Sequence, residues 1–397
     1  PISRPAMTAP LLLDLSHTCH TRARTGVQRV ARSLRSALGS GAVAVTHDPH
    51  QRVWRTLENW ERANLDHPGG ARGRGARWPL ARRWRGNLRR ILGPKAPPLP
   101  DNAGLVVPEI FSPAMAAALP EIFAATGGPR VAIFHDAIAL RLPELTPAGT
   151  VARFPAYLQE LLAFDGIAAV SADSRDALVE YWRWLGVART PPVRAIPLGT
   201  DFTPSPAAPA TPRDLPLVLC VGSIEGRKNH LALLNAAESL WVRGLRFELR
   251  LIGLAQPATG AAALARIAEL RSAGRPVIHD GTADDATVAA AYATCAFTVY
   301  PSIAEGFGLP VLESVAHGKP CVCSGRGALG EAAAGGGCLT LSTVTATELA
   351  GAIGRLLAEP AALAELSAQA RRRPIRTWRD HAAELTAWIA DLRAARR

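Results

Sequence analysis

Short apolar runs of strand length alternate with amphipathic stretches of helix length, and they do so twice along the chain. The first series holds "LLLDLS" (11–16), "AVAV" (42–45), "GLVV" (104–107), "VAIF" (131–134) and "IAAV" (167–170). "TGVQRVARSLRSAL" (25–38) reads as its first helix, with Val27, Val30, Leu34 and Leu38 on one stripe, so Gly26 falls at a strand-to-helix junction. The second series holds "LPLVLCVG" (215–222), "FELRLIG" (247–253), "PVIHDG" (276–281), "CAFTVYPS" (295–302) and "CVCS" (321–324), with helical patterns between them. Parallel strands need crossover connections, and helical crossovers cover both faces of the sheet. The pattern therefore predicts an α/β chain with two Rossmann-like, doubly wound domains.

Between the two series lies "FTPSPAAPATPRD", whose prolines, alanines and polar residues read as a linker. The expected organisation is a first domain over 1–200, a linker over 201–214 and a second domain over 215–375. A final helix over 376–397 is expected to pack back toward the first domain. Two such domains leave a central cleft, and ligands of open parallel sheets bind beyond the carboxyl ends of the strands.

Composition narrows the function classes. The chain has 397 residues, 48% hydrophobic and 20% charged, which excludes a disordered protein. No apolar run is long enough to span a bilayer. The run at 11–13 is too short for a convincing signal peptide and is followed directly by Asp14. The six cysteines lie mostly in strand-like runs, and Cys321 and Cys323 form a C-x-C pair with no second pair at zinc spacing. Free thiols in a reducing cytoplasm are expected, and no metal site.

The chemistry gathers just after strands. After "LVLCV" come Gly222, Gly226, Arg227 and Lys228, ahead of a helix from about Asn229. Glycines admit a ligand to the backbone, and a helix N-terminus favours an anion. Two cations there are costly alone, so a bound anion accounts for them better than a solvated basic turn. The spacing is not that of a Walker loop. After "CAFTVYPS" comes "AEGFGLPVLESVAHG", a glycine loop and a helix opening at Pro310 and stopped by Gly318. Glu313 is expected in the first turn of that helix, and His317 at its end, bonding the last carbonyls. A carboxylate can accept both hydroxyls of a ribose, so Glu313 suits a ribose while Arg227 and Lys228 suit a diphosphate.

The pattern "PS…EGFGLPVLES…GKP" with "VG…RKN" resembles the retaining GT-B glycosyltransferases of family GT4 (glycosyl transferases group 1). The likeness extends over nearly the whole chain, through "TGVQRV", "FHDAIAL" (134–140), "VSADS" (170–174), "IPLGTD" (196–201) and the terminal "TW…AAEL". It implies sugar transfer from a nucleotide-diphosphate sugar with retained anomeric configuration and without a metal or other cofactor. Arg227 and Lys228 would then neutralise the leaving diphosphate. By the same resemblance, Glu313 maps to the ribose carboxylate and Glu305 to the transferred sugar. The backbone of Gly306, Phe307, Gly308 and Leu309 maps beside sugar or phosphates, Gly26 and Gly222 beside the diphosphate, and His135 and Asp136 beside sugar or acceptor. The departing phosphate is expected to take the acceptor proton, with no dedicated general base. Three positions depart from the family pattern: one glycine in "RTGVQRV" where many members carry two, Leu198 in place of asparagine, and Gly330 in place of proline before Glu331.

The net charge of +12 is uneven. No acidic residue lies between His67 and Pro100, while the segment from about 71 to 92 carries eight arginines and two tryptophans. Leu80, Trp84, Leu88 and Ile91 recur at helical spacing, with Arg82, Arg83, Arg85, Arg89 and Arg90 around them. A basic helix with an apolar stripe reads as a binder of anionic membrane surface. The expected partners are a nucleotide sugar, a lipid-linked glycan acceptor and the inner face of the cytoplasmic membrane, in polysaccharide biosynthesis. The "TGVQRV" opening resembles that of mannosyltransferases and inclines the donor to GDP-mannose, with a UDP-sugar as the alternative. Another GT-B nucleotide-sugar enzyme, such as an epimerase, is a second alternative. A non-catalytic membrane- or nucleic-acid-binding protein is a third, although no nucleic-acid motif is present.

Overall fold

The computed structural model describes residues 9–23, 26–67, 75–93, 97–200, 214–281 and 283–396. Nearly all of the expected linker, and residues 71–74 of the basic segment, lie outside these. The first sheet has seven strands in the order β3-β2-β1-β4-β5-β6-β7. They are β1 Leu11–Asp14, β2 Ala42–Asp48, β3 Val53–Thr56, β4 Leu105–Val107, β5 Arg130–Phe134, β6 Gly166–Ala169 and β7 Val193–Ala195. All pairs are parallel except β2 with β3, a hairpin that ends the sheet. The second sheet is wholly parallel, in the order β10-β9-β8-β11-β12-β13. Its strands are β8 Leu217–Val221, β9 Glu248–Ile252, β10 Val277–Asp280, β11 Phe297–Tyr300, β12 Cys321–Ser324 and β13 Cys338–Leu341. This is the doubly wound dinucleotide-binding order, whose winding reverses between β8 and β11.

The central strands are buried on both faces, as helix-covered parallel strands must be: β1, β4, β6, β11 and β12 contain no exposed residue. Helix α1 (Gly26–Leu38) turns Val30, Ala31 and Leu34 onto the first sheet. The last helix, Trp378–Ala394, packs against α1 and joins the same core through Trp378, Leu385, Trp388 and Ile389. Leu198 is buried in that core too. The "IPLG" glycine has a steric reason. A Cβ on Gly199 would stand 2.3 Å from the backbone of Thr377 and Trp378, where the two chain segments cross.

Helix α2 (Asn59–Asp66) opens with a capping box between Glu58 and Glu61. Helix α3 (Leu80–Leu92) lies beside it on the first domain. It is seated at Gly86, where a Cβ would meet His50, and held by Arg82 on Glu58 at 2.8 Å. All six cysteines are free thiols, five of them buried. Among the described residues, no helix is long and apolar enough to cross a membrane.

Candidate functional site

The loops after β8 and β11 meet at the point where the second sheet reverses its winding. After β8, Gly226–Lys228 form one 3-10 turn, and Asn229, left-handed at φ 56°, starts the helix His230–Val242. Lys228 is buried, and its ammonium lies 4.6 Å above the Tyr300 ring centroid and bonds the Tyr300 hydroxyl. Glu305, from the loop after β11, brings Oε1 to 2.7 Å from both Lys228 and Arg227. Arg227 also meets Glu225 at 2.9 Å and the Ala304 carbonyl at 3.3 Å. Gly222 borders this cluster, with a Cβ position 3.8 Å from Tyr300 and 3.9 Å from Lys228.

The expectation that a bound anion alone explains the two cations is therefore revised: Glu305 and Glu225 already balance them. Burial by itself would raise the Glu305 carboxyl, but Lys228 and Arg227 hold it down at about 2. Burial lowers Lys228, and Glu305 offsets part of that. The two cations are thus held in place by carboxylates of the same cluster.

Glu313 is placed differently from expectation. The helix runs Leu309–Ala316, so Glu313 falls in its second turn, and no acidic residue lies in the first. Gly308 causes the shift: at φ 103° it adopts a conformation side chains avoid, and lets Leu309 begin the helix before Pro310. Glu313 Oε2 accepts the Tyr292 hydroxyl at 3.3 Å, and Oε1 accepts Arg29 from α1 of the first domain. The Tyr292 ring stacks on His317, 4.4 Å between centroids. His317 Nδ1 reaches the Glu313 carbonyl at 2.8 Å, the helix-end contact its position implied.

His135 and Asp136 close the cleft from the other side, just after β5. His135 is buried; its Nε2–H donates to the Pro108 carbonyl at 2.7 Å, and burial lowers its pKa, leaving a neutral ring. Asp136 Oδ1 accepts the Ile138 amide. Gly306 abuts both residues: a Cβ there would stand 2.0 Å from the His135 carbonyl oxygen and 3.0 Å from Asp136 Cβ. The Gly306 carbonyl accepts the hydroxyls of Ser171 at 2.7 Å and Ser174 at 3.2 Å, beyond β6. Phe307 packs against the core of the first domain. The glycine loop thus joins the two domains as well as lining the cleft. Gly26 stands clear, with nothing within 4 Å of a Cβ position. Glu331 is taken up by the first domain, accepting the Ala172 and Asp173 amides at 2.8 and 2.7 Å.

Sequence reasoning missed Arg29, Tyr292 and Glu109. Glu109, buried beyond β4, accepts the His17 and Thr18 amides at 2.9 and 2.8 Å and so fixes the loop after β1. One group of metal-ligating residue types comes together among the described residues: Cys19, His20 and Glu61. Arg55 forks onto both Glu61 oxygens at 2.7 and 2.8 Å, and His20 Nδ1 faces the Ser16 carbonyl. A guanidinium already supplies the cation there, so the set does not fit a metal.

Two facing Rossmann-like domains, with a charged cleft at the strand ends, define the GT-B architecture. Residues 215–359, less than half of the chain, match the family model described as glycosyl transferases group 1. It is 26% identical over 336 residues to the serotype-specific mannosyltransferase WbdA of Escherichia coli, covering 79% of this chain and 38% of that protein. The chain thus spans well under half of that relative. It is 29% identical over 203 residues to the O-antigen chain mannosyltransferase B of Escherichia coli, covering 49% of this chain and 52% of that one. The sucrose-phosphate synthase structure from Thermosynechococcus elongatus superposes with a TM-score of 0.68 at 20% identity, covering 98% of this chain and 100% of that one.

Proposed function

We propose that the chain transfers a sugar, with retention and without a metal, from a nucleotide-diphosphate sugar to a lipid-linked glycan acceptor in polysaccharide biosynthesis. The observation that carries this reading is the Arg227–Lys228–Glu305 cluster at the switch point of the second sheet. A diphosphate entering there meets two fixed cations and the open backbone of Gly26 and Gly222. Glu313 takes the ribose diol, and Glu305 stands beside the sugar. As the bond from the anomeric carbon to the phosphate oxygen breaks, charge grows on the departing diphosphate, and Arg227 and Lys228 stabilise it. The acceptor oxygen bonds the anomeric carbon, and its proton passes to that phosphate. His135, with Nε2–H on Pro108, orients rather than carries the proton. The mannosyltransferase relatives favour mannose as the transferred sugar, and GDP-mannose is the donor proposed.

Helix α3 supports the membrane side. Leu80, Trp84, Leu88, Ile91 and Leu92 are 58–77% exposed, so the apolar stripe faces outward with arginines along it. A stripe of this size with basic flanks suits an anionic bilayer face. Trp78, just before α3, stacks at 4.0 Å on His20 in the loop after β1.

The test is incubation with a panel of GDP- and UDP-sugars and a lipid-linked glycan, with product mass and anomeric coupling measured. Transfer occurs only with acceptor present, and the configuration is kept. Consumption of a nucleotide sugar without acceptor, yielding its isomer, points instead to an epimerase.

A further inference from the structure

The contact between Arg29 and Glu313 crosses the cleft. Arg29 lies one turn into α1, the helix that opens at Gly26, and its guanidinium donates to Glu313 Oε1. The Arg29 side chain is 46% exposed and that of Glu313 13%, so the arginine reaches from the cleft onto a nearly covered carboxylate. Tyr292 holds Oε2 from within the second domain. Arg29 stands in front of Oε1, so a ribose hydroxyl that takes that oxygen from the cleft competes with the guanidinium for it.

Charge balance says where Arg29 goes. Arg29 stands against Glu313, and Arg227 and Lys228 stand against Glu225 and Glu305, so each of these cations already faces a carboxylate. A nucleoside diphosphate adds anionic charge beside cations that carboxylates already engage. The ribose is neutral, so when it takes Oε1 it releases the Arg29 guanidinium from Glu313 without consuming a cation. That cation stands one helical turn from Gly26, in the same cleft. Tyr292, stacked on His317, keeps Glu313 in position through the exchange.

We propose that Arg29 is a donor-binding residue that exchanges partners, leaving Glu313 to the ribose and taking the diphosphate. It makes the site selective for nucleotides that carry both groups. A nucleoside must break the Arg29–Glu313 pair and gains nothing for the released arginine. A diphosphate alone finds the arginine occupied. The inference rests on the assignment of Glu313 to ribose.

The experiment is a binding titration of Arg29→Met and Arg29→Lys with GDP, UDP, guanosine and uridine, beside wild type and Glu313→Gln. A partly exposed ion pair is worth about 0.2–1 kcal/mol, so Arg29→Met should tighten the matching nucleoside by about 1.4- to fivefold. Loss of a charge-assisted bond should weaken the diphosphate about tenfold, and Arg29→Lys should recover part of it. Opposite shifts for nucleoside and diphosphate are the expected result. Shifts in the same direction, or none, overturn the exchange. Glu313→Gln separates the two claims. If it weakens both ligands while Arg29→Met moves them together, the exchange alone is lost. If it weakens neither, the ribose assignment is lost and the exchange with it.

Discussion

Lys228 and Glu305 stand 2.7 Å apart, ammonium on carboxylate, with side chains only 9% and 10% exposed. Such a pair costs desolvation to assemble, and more to break from one side, because the remaining charge is left buried. Glu305→Gln should therefore destabilise the fold by on the order of 3 kcal/mol. It should also tighten a nucleoside diphosphate, since a carboxylate leaves the phosphate site, while sugar transfer slows. Denaturant unfolding, calorimetry and turnover read the three effects separately. A variant that binds the diphosphate more weakly contradicts the assignment.

Gly306 tests whether the domain contact matters. An added Cβ at 2.0 Å from the His135 carbonyl must push backbone from backbone. Gly306→Ala should leave each sheet folded but open the cleft, with a larger radius of gyration in solution scattering and turnover down by two orders of magnitude or more. Unchanged scattering and turnover would contradict the close contact.

The exposed stripe of α3 makes no contribution to the core. Leu88→Glu with Ile91→Glu should leave the melting temperature within about a degree of wild type, because surface changes are nearly neutral. The same pair should abolish retention on vesicles containing anionic lipid at low salt. Retention that persists in the double variant would remove the membrane assignment.

Asp14 predicts a pH dependence. Burial, with Glu109 adding, raises its carboxyl from 3.8 to about 7, while Ser16 donates two bonds to it. A raised folded pKa gives stability that is complete below 3.8 and is lost as pH rises through about 7. Asp14→Asn keeps an acceptor for Ser16 and removes that loss. Its gain over wild type should be largest at pH 8 and shrink by about 1.4 kcal/mol per pH unit below 7. A gain that does not change between pH 8 and pH 5 would contradict it.

Much of the fold could be read from the chain because buried parallel strands are continuous apolar runs, and ten of them stand out. β3, β7 and β13 did not. β7 and β13 are edge strands without a single fully buried residue, and β3 mixes Arg55 with Trp54. Gly222, Arg227, Lys228 and Glu305 stand beyond strand ends, as their positions in the chain implied. Partners far apart in the chain were not implied by position. Arg29 meets Glu313 across 284 residues, and Glu331 meets Ala172 across 159, so no local pattern joins them. Glu313 was expected one residue nearer the helix start because that start depends on the left-handed Gly308, a backbone choice no side chain announces.

The most direct measurement is turnover of Lys228→Ala and Glu313→Ala with a nucleotide sugar and acceptor, each variant checked to be folded at the assay temperature. Glu313→Ala should raise the donor KM, and Lys228→Ala should lower kcat by two to three orders of magnitude, the usual loss when a transition-state charge donor is removed. Wild-type turnover in both folded variants would contradict the account of this cleft as a nucleotide-sugar site.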